Sequence, residues 1–265
     1  MISFMKAQAC GNDFLIVEES LAGGRHAELA RRLCARTTGV GADGVEFLDR
    51  RSGYRLRLFN SDGSEAELSG NGTRCVAASL AASEGLERVA FETHGGVRTC
   101  RVVERRGNEF LIEGGMGVPR VMLRTIVVPE VGEIAGAMVN VGNPHFVVLV
   151  EAEDFGAHGL AWQELGRFIS GSPLFPHGTN VEFARVISPV EIAFRIFERG
   201  CGPTMSSGTG TCASAAAVMS LRGGERELTA IAEGGAQRVV WPASGAEMLL
   251  TGPAEMVCTG EAWAG

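Results

Sequence analysis

Two similar glycine-rich turns carry the residues whose types and spacing suit catalysis. The first runs Phe59-Asn-Ser-Asp-Gly-Ser-Glu-Ala-Glu-Leu-Ser69-Gly-Asn-Gly-Thr73, and the second runs Phe197-Glu-Arg-Gly-Cys-Gly-Pro-Thr-Met-Ser-Ser207-Gly-Thr-Gly-Thr211. A turn that opens onto a helix presents unpaired N–H groups that bind an anion such as a carboxylate. Ser69 and Ser207 would then lie beside the bound molecule. Two opposed acid/base groups at one carbon are what stereoinversion requires, because one removes a proton while the other donates one.

The two turns belong to a longer internal repeat. Ser69 and Ser207 lie 138 residues apart, and each turn is preceded by a Gly-Asn motif, Gly11-Asn-Asp-Phe14 and Gly142-Asn-Pro-His-Phe146. Chance similarity between turns rich in Ser, Gly and Thr is the alternative explanation. Because the two pairs recur in the same order, we interpret the chain as two homologous lobes.

Short strand signals outnumber helical ones. Alternating or β-branched runs such as Tyr54–Phe59 and Glu191–Phe197 predict strands, whereas Ala-rich and Leu-rich segments predict helices over 27–36, 73–83 and 211–221. No Gly-x-Gly-x-x-Gly follows a strand, and no βαβ alternation indicates a Rossmann fold. We therefore predict an α+β protein with an N-terminal lobe over 1–118 and a C-terminal lobe over 119–265. The last strand of the C-terminal lobe can pack back on the first lobe.

Composition excludes several classes of function. Net charge is −7 without a Lys/Arg block, which argues against nucleic-acid binding, and no apolar run is long enough for a membrane span. The N-terminus carries no signal peptide and the seven cysteines are scattered, which favours reduced thiols and a cytoplasmic location. The single lysine, Lys6, argues against pyridoxal phosphate, and the absence of Cys-x-x-Cys or paired His spacing argues against a metal site.

A set of motifs along nearly the whole chain resembles the diaminopimelate epimerase family. Each motif is weak alone, but the set appears in the family's order and roughly its spacing. The motifs are Gly11-Asn-Asp-Phe14, Gly39-Val-Gly-Ala-Asp-Gly44, Asn60-Ser-Asp-Gly-Ser-Glu65, Gly70-Asn-Gly-Thr-Arg-Cys75, Gly142-Asn-Pro-His145, Gly178-Thr-Asn-Val181, Glu198-Arg-Gly200, Gly208-Thr-Gly210 and Gly252-Pro-Ala-Glu-Met-Val257.

The resemblance implies a fold and a reaction. Two pseudo-symmetric lobes, each a sheet wrapped around a central helix, would hold the active site in the cleft between them. The implied enzyme is a cofactor-independent homodimer that interconverts LL- and meso-2,6-diaminopimelate, a small amino acid of lysine and peptidoglycan synthesis. Its proton transfers are performed by a thiol pair, one before each turn. In this sequence those positions hold Ser69 and Ser207.

The resemblance also assigns the remaining site residues. His145 and Glu198 resemble the polar pair that supports catalysis, and the residues that resemble the substrate-binding set are Asn12, Asn60, Gly70, Asn71, Asn143, Asn180, Arg199, Gly208 and Thr209. The same residues have structural interpretations: a core histidine, a surface ion pair and asparagines that form turns.

Two further positions depart from the family pattern. Pro203 stands where the family usually has Glu, and Cys258 stands where an aromatic residue associated with the dimer contact is common. Cys75 and Cys212, inside the predicted helices, are predicted to be small buried hydrophobic residues.

Serine is a poor substitute for a thiol base. A thiol with an ordinary pKa of about 8.5 becomes a thiolate at a helix N-terminus, whereas a hydroxyl acts as a base only when another group takes its proton. We therefore expect binding with slow epimerisation. Two alternatives stay open: a racemase or isomerase of the same fold that recruits another base and acts on another amino acid, and a non-catalytic amino-acid-binding protein.

Overall fold

The chain forms two compact units. The computed structural model describes residues 1–67, 69–129, 131–223 and 225–263. Unit 1 comprises Met1–Gly115 with Thr251–Gly265, and unit 2 comprises Met116–Leu250. The sequence places the lobe boundary at residue 118, whereas the structure divides at Gly115 and assigns the C-terminal segment to unit 1.

Unit 1 is a closed barrel around one helix. Its helices are α1 (His26–Cys34) and α2 (Gly70–Glu84), with a 3₁₀ turn at Glu19–Leu21. Its strands are β1 (Ile2–Ala9), β2 (Asn12–Glu18), β3 (Gly44–Asp49), β4 (Tyr54–Asn60), the short β5 (Glu65–Ala66), β6 (Arg88–Thr93), β7 (Gly96–Arg106), β8 (Glu109–Gly115) and most of β17 (Leu249–Ala262). The pairings β1–β2–β3–β4–β6–β7–β8–β17–β1 close on themselves, and the pairs β2–β3 and β4–β6 are parallel. The core of the barrel is α2.

Unit 2 likewise surrounds one central helix with strands. Its helices are α3 (Trp162–Ser170) and α4 (Gly208–Leu221). Its strands are β9 (Arg120–Val128), β10 (Gly132–Asn140), β11 (Pro144–Leu149), β12 (Asn180–Ser188), β13 (Glu191–Glu198), the short β14 (Gly202–Thr204), β15 (Glu227–Ala232) and β16 (Gly235–Val240). The pairs β11–β12 and β13–β15 are parallel, as in unit 1. Residues of α4 pack against β10, β11, β13, β15 and β16 in one buried cluster.

The parallel pairs reveal strand–helix–strand units, which the sequence did not indicate. Each unit contains two strand–helix–strand connections between parallel neighbours, through α1 and α2 in unit 1 and through α3 and α4 in unit 2. The sequence did not predict α3, because Gly166 interrupts its helical pattern. Gly166 lies against Phe197, and a Cβ there would be 2.6 Å from the Phe197 Cβ.

The central helices consist mostly of small residues because strands surround them. All residues from Gly70 to Ala81 in α2 and from Gly208 to Met219 in α4 are buried. Small side chains allow the strands to approach the helix backbone. Both helices begin three residues earlier than predicted, because Ser69 and Ser207 cap them. Among the described helices, none combines the length and apolar character needed to cross a membrane.

Dense packing around α4 predicts that added volume destabilises unit 2. Ala216 is fully buried, so Ala216→Leu should lower the free energy of unfolding by about 1–3 kcal/mol. Ser220→Leu, at an exposed position of the same helix, should change it by only about 0.5 kcal/mol. Urea unfolding of both variants tests this, and equal effects would contradict the packing argument.

Candidate active site

The N-terminus of α2 is organised by Ser69. Its backbone is extended, and its Oγ accepts a hydrogen bond from the N–H of Gly72 at 3.0 Å. The Ser69 carbonyl accepts from the N–H of Thr73 at 2.9 Å. Helix geometry leaves the N–H groups of Gly70 and Asn71 without an intrahelical acceptor. They are therefore available for an anion beside the half-buried Ser69 side chain.

Asparagines surround this helix end. Asn71 Nδ2 donates to Asn12 Oδ1 at 3.2 Å, and Asn12 Nδ2 donates to Asp43 Oδ2 at 2.6 Å. Asn71 Oδ1 accepts from the buried Arg74 at 2.7 Å. Two of the predicted binding residues, Asn12 and Asn71, are thus in direct contact. Asn60 is fixed by its own loop, where its Nδ2 donates to Ser64 Oγ at 3.0 Å.

The only lysine of the chain belongs to an ion network that holds this region. Lys6 Nζ lies 2.9 Å from Asp13 Oδ2 and donates to the carbonyl of Gly41 at 2.6 Å. Arg36 bridges Asp13 and Asp43 at 2.8 and 2.7 Å. Burial raises the pKa of Asp13, but the hydrogen bonds and charges of Arg36 and Lys6 outweigh it and hold that pKa below its ordinary value. The network orients Asp43, which in turn orients Asn12.

The N-terminus of α4 has the same cap. Ser207 Oγ accepts from the N–H of Gly210 at 3.2 Å, and the Ser207 carbonyl accepts from the N–H of Thr211 at 2.8 Å. The Gly208 and Thr209 N–H groups occupy the first two helical positions, equivalent to Gly70 and Asn71. Each unit therefore holds one serine-capped helix end with the geometry of an anion site.

A hydrogen-bonded chain links Ser207 to a buried acid. Glu182 Oε1 lies 2.6 Å from His145 Nδ1, and His145 Nε2 lies 2.9 Å from Asn143 Oδ1. Asn143 Nδ2 donates to Thr209 Oγ1 at 3.3 Å, which lies 3.3 Å from Ser207 Oγ. The Glu182 and His145 side chains are fully buried. Burial raises the pKa of Glu182, opposed by the charge and hydrogen bond of His145.

The remaining predicted residues lie at the ends of β12 and β13. Asn180 Oδ1 accepts from the backbone N–H of Arg199 at 2.9 Å, and Glu198 Oε1 accepts from Thr204 Oγ1 at 2.5 Å. The Arg199 guanidinium donates to the carbonyl of His177 at 3.4 Å. Asn180 and Arg199 are thus brought together within unit 2, whereas no hydrogen bond joins them to Ser207 in the described part of the chain.

Sequence reasoning missed two buried glutamates. Glu46 on β3 is 2% exposed and Glu182 on β12 is fully buried. Each packs against the second glycine of a Ser-Gly-x-Gly turn: a Cβ on Gly72 would collide with Glu46 Oε1, and one on Gly210 would lie 2.9 Å from Glu182 Oε1. The signal was present, because the tripeptide Val-Glu-Phe occurs at Val45–Phe47 and again 136 residues later at Val181–Phe183.

Strand register corrects the alignment of the two Gly-Asn motifs. In the parallel pair of unit 1, Phe14 is the partner of Gly44, the residue two before Glu46. In unit 2, His145 is the partner of Asn180, the residue two before Glu182. The two motifs therefore align residue for residue from their Gly-Asn pairs: Pro144 is the counterpart of Asp13, and the structural counterpart of Phe14 is His145, not Phe146. An apolar ring therefore occupies in unit 1 the place of the histidine in unit 2.

Comparison with known proteins identifies the family. The sequence model described as Diaminopimelate epimerase matches residues 4–122 and 137–257. The chain is 36% identical over 283 residues to the diaminopimelate epimerase of Trichodesmium erythraeum (strain IMS101), covering 97% of this chain and 98% of the relative. The chain belongs to the diaminopimelate epimerase family. It is therefore an isomerase of the epimerase and racemase type.

Solved structures show the same fold at low sequence identity. A phenazine biosynthesis protein of the PhzF family from Bacillus anthracis superposes with a TM-score of 0.74 at 16% identity, covering 98% of both chains. A probable proline racemase from Agrobacterium radiobacter K84, with bound carbonate, gives 0.70 at 18% identity, covering 98% of this chain and 92% of that chain. These matches confirm the predicted α+β fold of the diaminopimelate epimerase type.

The helix cysteines are not positioned as bases. Cys75 and Cys212 are fully buried, which confirms the prediction that they are small core residues. Burial raises the pKa of the Cys75 thiol well above its ordinary value. A thiol in that environment stays protonated at neutral pH, so Cys75 does not supply a thiolate in place of Ser69.

The buried Glu46 predicts a pH-dependent stability. Burial raises the pKa of Glu46 to about 8 from an ordinary value of 4.5. The folded state then binds more protons than the unfolded state between these values, so this group's contribution to stability is complete below about 4.5 and is lost as pH rises through about 8. Glu46→Gln should remove that decline and stabilise the fold at pH 8 by a few kcal/mol.

Urea unfolding between pH 5 and 9 measures the effect. Glu109→Gln, which changes an exposed strand glutamate of the same unit, is the matched control and should retain the decline. Parallel stability curves for the parent and Glu46→Gln would contradict the assignment.

Proposed function

We propose that this chain interconverts LL- and meso-2,6-diaminopimelate by proton transfer at the α-carbon. The supporting observation is the repeated helix end: each unit has a serine cap, free N–H groups, and an asparagine hydrogen-bonded to the third residue of the turn. Family membership supplies the substrate, because the Trichodesmium relative matched over nearly the whole chain is a diaminopimelate epimerase.

The site residues then take the following roles. Ser69 and Ser207 are the two proton-transfer positions, and two-base epimerisation requires them to reach opposite faces of one α-carbon. The N–H groups at Gly70, Asn71, Gly208 and Thr209 bind the carboxylate at the reacting carbon. His145 and Glu198 are the polar pair that supports catalysis, and the substrate's other polar groups are bound by Asn12, Asn60, Asn143, Asn180 and Arg199.

Serine at both positions makes this a slow epimerase. A serine hydroxyl is far less acidic than a thiol and needs a second group to accept its proton. The α-hydrogen of an amino acid is itself a weak acid, so the barrier to its removal is high. Binding is retained because it depends on backbone N–H groups, asparagines and Arg199 rather than on the proton-transfer pair.

Three further properties are predicted from the sequence. The chain works without a cofactor, acts in the cytoplasm and forms a homodimer, with Cys258 at the position associated with the dimer contact. Sedimentation velocity would establish the oligomeric state of the purified chain.

Solvent deuterium exchange at the α-carbon tests the proposed reaction. With diaminopimelate in D₂O, the parent should incorporate deuterium slowly, and the double variant Ser69→Cys/Ser207→Cys should do so at least about 100-fold faster, because thiolates replace hydroxyls. Mass spectrometry measures the incorporation.

The double variant Ser69→Ala/Ser207→Ala is the matched control and should abolish exchange while calorimetry still detects binding. If neither the parent nor the double cysteine variant exchanges at high enzyme concentration, the diaminopimelate assignment fails. Binding without exchange would favour the non-catalytic alternative.

The chain from Glu182 to Ser207 predicts a role for the Thr209 hydroxyl. Thr209→Val removes the atom between Asn143 and Ser207, so the exchange rate should fall about tenfold or more with little change in the affinity for diaminopimelate. Thr209→Ser keeps the hydroxyl and should keep the rate. Equal rates for the Val and Ser variants would show that the hydroxyl contributes nothing.

A further inference from the structure

Glu46 occupies a core-facing position of β3 that apolar residues otherwise fill. Alternate residues of a strand face opposite sides. Leu48, two positions further on, packs in the cluster around α2, as does Leu58, the cross-strand partner of Glu46 on β4. A leucine at position 46 would suit this environment better than a carboxyl, because burying an unpaired polar group costs free energy. A charged residue that breaks the core pattern is typical of a functional site.

The carboxyl of Glu46 has no hydrogen-bond partner among the described residues. The corresponding Glu182 in unit 2 is paired with His145 at 2.6 Å. In unit 1 the register places Phe14 where His145 lies, so the equivalent partner is missing. Glu46 therefore lacks the histidine contact that Glu182 has.

Glu46 shares a small cavity with Ser69. The wall of this cavity includes Glu46, Ser69, Thr73, Glu67, Leu56 and Leu58. A Cβ added to Gly72 would collide with Glu46 Oε1 and would lie 3.2 Å from the Ser69 Cβ. The Glu46 carboxyl and the Ser69 side chain are therefore on the same side of Gly72. The carboxyl is therefore close to the serine that caps α2, without a hydrogen bond between the two side chains.

The hydrogen bonding of Ser69 leaves its own proton available. Its Oγ accepts the N–H of Gly72 at 3.0 Å, so one lone pair is engaged. The hydroxyl hydrogen and the second lone pair are not used by any described residue. A hydroxyl in this state can take a proton on one side while it releases its own to an acceptor on the other.

We propose that Glu46 is the proton acceptor of unit 1 and that Ser69 passes the substrate proton to it. When the Cα–H bond of the substrate breaks, its proton goes to Ser69 Oγ and its electron pair stays on the α-carbon. The Ser69 hydroxyl turns towards Glu46 within the cavity, and its proton moves to the Glu46 carboxylate, which becomes a neutral carboxylic acid. The reverse transfers return a proton to the α-carbon. This inference rests on the proposed function and deepens it.

The surroundings of Glu46 define what a pH profile reports. Two ionisable groups face Glu46: Glu67, which lines the same cavity, and Cys75 on α2, on which the Glu46 charge acts. The neighbouring strands present the apolar Ile16 and Leu58. Because burial raises the pKa of Glu46 to about 8, the fraction of carboxylate increases through that pH. The parent's exchange rate should therefore rise between pH 7 and 9.

A double-mutant cycle of deuterium exchange with diaminopimelate tests the proposal. Glu46→Gln should lower the rate of the parent at least about 100-fold, as loss of a general base does. In the Ser69→Cys background the thiolate is its own acceptor, so the same substitution should leave the rate within about threefold or raise it. Glu109→Gln, an exposed change on β8, should have no effect in either background.

The outcomes separate this proposal from the proposed function. Absence of exchange in both the parent and Ser69→Cys/Ser207→Cys would overturn the function itself. Exchange in the parent with an unchanged rate in Glu46→Gln, or with the same loss in both backgrounds, would overturn the role of Glu46 alone. The parent's pH profile needs no variant, so a rate that does not rise between pH 7 and 9 overturns the role of Glu46 even if Glu46→Gln does not fold.

Discussion

The close approach of a buried glutamate to a helix N-terminus is the constraint on which both units depend. In each unit the carboxyl lies where a side chain on the second glycine of the turn would be, so that residue has no room for a Cβ. The glycine in turn fixes where the helix starts, and the serine three residues earlier becomes the cap. The helix then runs through the middle of the strands that carry the glutamate, where small residues such as Gly, Ala, Ser, Thr and Cys make up most of its buried positions.

The two units share this arrangement but differ in the residues that surround the carboxyl. In unit 2 one carboxyl oxygen of Glu182 lies 2.6 Å from His145 Nδ1, and a chain of hydrogen bonds continues from His145 through Asn143 to Thr209 and Ser207. In unit 1 the apolar Phe14 takes the place of His145, so the acid faces the cavity beside Ser69. The two Gly-Asn motifs align without an insertion, so the contrast comes from a single position, which is Phe14 in unit 1 and His145 in unit 2.

Local signals made much of the site predictable, and non-local register set the limit. Ser69, Ser207 and their glycines are recognisable because capping and turn chemistry depend on neighbouring residues. Glu46 and Glu182 were missed because their meaning depends on which strand face meets the helix, and a lone glutamate in an apolar run gives no indication of that. The missed helix α3 shows the same limit. Gly166 suggests a helix break in sequence, but in the fold it allows the helix to pack against Phe197.

Serine and glutamate form a consistent pair in unit 1. A thiolate beside Glu46 would be opposed by the negative charge of the carboxylate, which raises the pKa of a neighbouring thiol; Glu46 already contributes in this sense to the raised pKa of Cys75. A serine has the opposite requirement, because its hydroxyl becomes useful as a base only with an acceptor for its proton. The carboxyl that would hinder a cysteine at position 69 is therefore the group that a serine there requires. The residue that suits position 69 therefore depends on the residue at position 46.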